Sequence, residues 1–153
     1  MSPEALKVDK AKKYAEGYIQ ELKCINPISE YFGCDGEIRY IQKQTRYSKI
    51  DLKLLNINDP KEIIDFEIKS RNNLYADYPT TMIHVIKVLK MLQDVKQKKI
   101  VKAFAVFIFK NNDIYLYEIT DKIFLECSFE NKPDGRGSFQ ICLIIPIELL
   151  IKI

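Results

Sequence analysis

The chain has 153 residues with a net charge of +3; 47% of them are hydrophobic and 29% charged. This is the make-up of one globular domain, residues 1–153, with enough apolar side chains for a core but not for two. No run approaches the ~20 apolar residues of a membrane span, and Met1–Lys13 is too charged for a secretory leader.

The mild basicity permits a nucleic-acid partner without demanding one. Cys24, Cys34, Cys127 and Cys142 form no C-x-x-C pair, and the chain has a single histidine. Reduced thiols of a cytoplasmic protein are therefore expected, not a zinc site.

In chain order, Ala11, Tyr14, Ala15, Tyr18, Ile19 and Leu22 recur near helical spacing, so Asp9–Cys24 is predicted as an amphipathic helix closed by Asn26-Pro27. Ile28–Gly36 reads as an irregular connector and Glu37–Thr45 as a strand. Two β-like runs follow, Ile50–Leu55 and Ile63–Arg71, separated by the polar turn Asn56–Pro60. If they fold back about Asp59, Asp51 falls opposite Glu67. Side chains alternate along a strand, so Glu67 and Lys69 share one face and Asp51 joins them across the ladder.

Asn72–Thr81 is expected as a polar loop whose Tyr75 and Tyr78 either stack on bases or cover a small satellite core, the second being the more common role. A helix is predicted over Met82–Lys98, with Ile83, Val85, Ile86, Leu89 and Leu92 on its apolar side. Ala103–Phe109 is a continuous apolar run suited to a buried strand, and Asn111-Asn112-Asp113 turns it into Ile114–Ile119. Asp121–Cys127 is left open between helix and strand. Asn131–Gly137 reads as a loop, Ser138–Ile145 as a last strand, and Pro146–Leu150 as a short helical turn.

The chemistry centres on Asp51, Glu67 and Lys69. Two carboxylates a strand apart suit a hard divalent cation, which takes oxygen ligands and keeps waters or phosphate on its open positions. A lysine two residues beyond can orient or deprotonate a water molecule. The bland alternative is a solvated charged face through Asp65, Glu67, Lys69 and Arg71, because a Glu-x-Lys tripeptide is weak on its own.

Ser48-Lys49-Ile50-Asp51-Leu52 and Phe66-Glu67-Ile68-Lys69-Ser70-Arg71 resemble the paired signatures of the PD-(D/E)xK nuclease superfamily, and the trailing Ser70-Arg71 is similar to its archaeal-type Holliday junction resolvases. The resemblance runs from about Lys10 to Thr120. Ile50 stands where the family's name has Pro, and Lys49 is an unusual neighbour for the acid. The resemblance implies an α/β (α+β) restriction-endonuclease-like αβββαβ core, a central mixed sheet flanked by helices. It further implies a magnesium-dependent endonuclease acting on DNA, with manganese able to substitute. Asp51, Glu67 and the Ile68 carbonyl would be metal ligands, and Lys69 the water-positioning group. An acid from the first helix would be Glu16, with Glu21 its rival. Lys87, Arg71 and Lys49 are candidate phosphate contacts, although lysines on an amphipathic helix usually form its solvated face. Cutting both strands, or a four-way junction, would call for a homodimer. The alternative is an inactive module that keeps the fold and binds nucleic acid or protein.

Overall fold

A computed structural model describes residues 1–153. The element order is α1 Pro3–Tyr31, β1 Arg39–Lys43, β2 Leu52–Asn56, β3 Ile64–Ser70, β4 Thr80–His84, α2 Val85–Lys96, β5 Lys102–Ile108 and β6 Ile114–Glu118. A short α3 (Ile123–Glu126), β7 Ser128–Pro133, β8 Phe139–Pro146 and β9 Ile151–Lys152 complete it. No helix is long and apolar enough to cross a membrane.

The central sheet has the order β1-β2-β3-β5-β6-β9. It is mixed: β3 and β5 are parallel, and every other neighbouring pair is antiparallel. A parallel pair needs a crossover, supplied by the β4–α2 segment. Alternation divides the apolar residues between two layers. Phe66, Ile68, Phe104 and Val106 point toward Cys24 and Ile28 of α1. Ala103, Ala105 and Phe107 point the other way, toward Val88 and Met91 of α2 and Leu143 and Ile145 of a second sheet, β4-β8-β7. The central mixed sheet flanked by helices is thus the observed architecture.

Several local expectations need correction. The first helix does not stop at Pro27, which lies inside α1. Cys24 and Ile28, one turn apart, are fully buried, and that packing outweighs the missing hydrogen bond at proline. The helix runs on to Tyr31 and is stopped by Gly33, just past the Phe32 cap, with φ +65°. The Cys34 N–H reaches the Ser29 carbonyl and the Gly33 N–H the Glu30 carbonyl, a glycine-type C-cap. At its start Ser2 accepts the Ala5 N–H ahead of Pro3.

The second helix begins at Val85, because Thr80–His84 pairs with β8 as a strand. Its buried side is Val88, Met91, Leu92 and Asp94, while Ile86 and Leu89, expected on the apolar face, are exposed. Asn131–Pro133 belongs to strand β7, so the connection to β8 is a tighter turn than the predicted loop. Tyr75 stacks on Tyr115 with ring centroids 4.2 Å apart and donates its hydroxyl to the Ile147 carbonyl, forming the satellite core. All four cysteines are free.

Candidate active site on strands β2 and β3

The β2–β3 ladder pairs Leu52 with Phe66, Lys53 with Asp65 and Leu54 with Ile64. That register is centred on Asp59, as expected, but it does not continue to Asp51: the Asp51 N–H donates to the Phe66 carbonyl at 3.2 Å, one residue short of the Glu67 that the turn was expected to set opposite it. Glu67 lies on the α2 face of β3 and is 2% exposed. Its neighbour across the parallel ladder is Ala105, as Ala103 is for the equally buried Asp65. Those alanines leave room between sheet and helix for two carboxylates and the lysines that meet them.

The Lys69 Nζ lies 2.9 Å from Glu67 Oε1, and Lys87 Nζ, from α2, lies 3.5 Å from the same oxygen. Lys87 also donates to the Lys49 carbonyl at 2.7 Å, tying α2 to the turn before Asp51. The second carboxylate oxygen, Glu67 Oε2, is buried with no hydrogen-bond partner. An unsatisfied buried oxygen is costly, and a carboxylate oxygen left bare calls for a cation. Asp51 Oδ2 accepts the Ile68 N–H at 2.7 Å. The N–H and C=O of a strand residue point to the same side, so the Ile68 carbonyl is directed to the edge where Asp51 sits.

The helix acid beside Asp51 is Glu21, not Glu16. Burial, and secondarily the nearby Asp51 carboxylate, push the Glu21 carboxyl above its ordinary value, against the opposing pull of Lys43. Glu16 is exposed and does not line the cleft above Asp51. The two acids are five positions apart, so they lie well apart around the helix. Glu21 shares its stripe with the buried Cys24 and Ile28, a signal hidden by the apolar but exposed Ile19 and Leu22.

Arg71 is not free to meet phosphate. Its guanidinium donates to Thr81 Oγ1, to the Met82 carbonyl and to the Ser70 carbonyl, and lies over the Phe107 ring, clasping β3 to β4. Lys49 is exposed, and its carbonyl rather than its ammonium is engaged here. His84 is the N-cap residue of α2; burial and the cations Lys69, Arg71 and Lys87 hold its imidazole below the usual value.

Above Asp51 opens a cleft of about 470 Å³ between α1 and the segment 43–48. Sequence reasoning missed the cations on its walls, Lys43 and Arg46. Lys43 is ion-paired with Glu21 and lies over the Tyr18 ring at 4.7 Å.

In overall structure the chain is similar to Hjc, a Holliday junction resolvase of Archaeoglobus fulgidus. Identity is 10%, 76% of this chain and 79% of that one are covered, and the TM-score is 0.48. A likeness of this size assigns neither chemistry nor substrate. No family model matches the sequence, and no curated protein does.

Asp51, Glu67 and the Ile68 carbonyl are oxygen donors, the chemistry a small hard divalent ion takes. No three His, Cys, Asp or Glu side chains are gathered closely enough to hold a metal alone. Two carboxylates and a backbone carbonyl are hard oxygen donors, the type Mg²⁺ takes with water and phosphate on its other positions, whereas Zn²⁺ favours nitrogen and sulfur.

Proposed function

We propose that the protein is a magnesium-dependent endonuclease that hydrolyses DNA phosphodiester bonds. Asp51, Glu67 and the Ile68 carbonyl would hold the ion, and manganese would substitute. Bound there, the ion supplies Lewis-acid polarisation of a phosphoryl oxygen and makes a water molecule more acidic. Lys69 orients the attacking water, Lys87 meets the phosphate, and Glu21 supports Asp51 from α1. The observation that carries this reading is Glu67: a buried carboxylate with two ammonium groups on one oxygen and nothing on the other.

Each chain offers one such site, so cutting both strands of a duplex, or a four-way junction symmetrically, requires two copies. The homodimer and a preference for branched DNA belong to the same proposal.

The test is incubation of the pure protein with linear and branched DNA in Mg²⁺ or Mn²⁺, then in EDTA. Metal-dependent cutting that disappears in Lys69→Ala is the expected outcome. Tight binding without cutting under any metal would replace the enzyme with a binding module.

A further inference from the structure

Gly17 lies in the middle of α1, and a Cβ built on it would meet nothing within 4 Å. A mid-helix glycine costs roughly 1 kcal/mol relative to alanine, and the protein's own packing gives no reason for it. What its bare backbone does is deepen the cleft. Tyr14, Gly17 and Glu21 follow one another along one helix stripe, and all three line it. Tyr14 and Tyr18 on this side are 59% and 52% exposed, and Tyr47, outside the lining but next in the chain to Arg46, is 82% exposed. Arg46 on the opposite wall has its guanidinium 6.0 Å from the Tyr14 ring centre and 4.8 Å from that of Tyr47. Exposed tyrosine rings interleaved with cations, above a carboxylate floor, suit unpaired bases better than a base-paired stretch. In a duplex the bases present only their edges, and their faces are hidden in the stack. Unpaired bases offer those faces, and stacking on tyrosine is sequence-tolerant. A volume of about 470 Å³ lies within the range of small-ligand clefts.

We propose that this cleft holds an unpaired nucleotide of the DNA substrate, stacked against Tyr14 and Arg46, beside the phosphate presented to Asp51. The inference rests on the nuclease reading for the identity of the ligand, but not for its test. Binding is measured in EDTA, where no cutting intervenes, by anisotropy of a gapped DNA and of a blunt duplex of equal length. The gapped DNA carries 2-aminopurine among its unpaired bases.

The gapped DNA is expected to bind more tightly, with 2-aminopurine fluorescence quenched on binding. Tyr14→Ser should weaken it about fivefold or more, the value of one stacked base, and leave the blunt duplex unchanged; Tyr14→Phe should restore it. Gly17→Leu replaces a poor helix former with a good one, so it should raise the melting temperature while weakening gapped DNA alone. Equal affinity for both DNAs, or an equal loss on both in Tyr14→Ser, overturns the inference. Absence of metal-dependent cutting sinks the nuclease reading and leaves these binding results standing. Cutting without any preference for unpaired DNA does the reverse.

Discussion

The Asp51 carboxylate accepts the backbone N–H of Ile68 at 2.7 Å, so the acid before β2 is latched to the middle residue of Glu67-Ile68-Lys69. That one bond sets the position of the acid relative to the Ile68 backbone. Asp51→Asn keeps the shape and an acceptor oxygen but removes the charge. If the proposed metal role is right, cleavage falls about a hundredfold or more, since a Lewis-acid ion supplies several kcal/mol of charge stabilisation. DNA affinity in EDTA stays near the parental value. A variant that cuts at the parental rate contradicts the assignment.

Glu67 gives a readout that needs no activity. Its Oε2 is buried and bare, so a divalent ion that reaches it stabilises the folded chain and finds no equivalent site in the unfolded one. At a hundred times its dissociation constant such a ligand adds about 2.7 kcal/mol. Mg²⁺ or Mn²⁺ should therefore raise the melting temperature of the parent by several degrees and leave Glu67→Gln unmoved. An equal rise in both places the ion elsewhere.

Lys87 stands at the mouth of the site, half-buried and shared between Glu67 and the Lys49 carbonyl. A phosphate brought to the site competes for the same ammonium. Lys87→Ala should weaken DNA binding at low salt and reduce the slope of log affinity against log salt by about 1, the signature of one lost phosphate contact. An unchanged slope would mean that Lys87 serves only to hold α2 against the turn before Asp51.

The β2–β3 register and the Glu67–Lys69 pair were legible because they follow from two simple regularities. A polar turn about Asp59 sets the register, and strand alternation puts Glu67 and Lys69 on one face. The second sheet was not legible. Thr80–His84 does alternate, with Thr81 and Ile83 buried and its other residues exposed, but it runs straight into α2 with no breaker, and five residues cannot outvote the helical period that follows. β7 is almost wholly exposed and carries no apolar pattern; β9 has two residues, too few for any period to register. In α1 the error was one of face: apolar Ile19 and Leu22 outline a stripe that the fold leaves exposed, and this favoured Glu16 over Glu21.

Arg71 shows how a residue suited to phosphate can be committed to structure. Its guanidinium bonds to Ser70, Thr81 and Met82 join the central sheet to the second one, beside the Phe107 ring. Hydrogen bonds from a charged donor are worth about 1.5–3 kcal/mol. Arg71→Ala should accordingly lower unfolding free energy by about 2 kcal/mol in urea, and leave the salt slope of DNA binding as it was. A stable variant with a shallower slope would return Arg71 to the phosphate-binding set.

Asp65 offers a pH-dependent test of the charged seam between β3 and α2. It is buried beside Lys53, with Asp94 nearby. Burial, reinforced by Asp94, pushes its carboxyl above the ordinary 3.8 despite the attraction of Lys53. The folded chain therefore binds a proton at Asp65 more readily than the unfolded chain does. Stability from this group is fully present below about pH 3.8 and is lost as pH rises through the folded-state value. Asp65→Asn has no proton to lose there. The difference in unfolding free energy, parent minus variant, should consequently decrease as pH is raised from about 4 to 7, whatever its absolute size. Urea denaturation of both proteins across that range measures it. A difference that grows with pH would mean that the ion pair with Lys53 outweighs burial, and that the seam is held together by charge rather than tolerated by the fold.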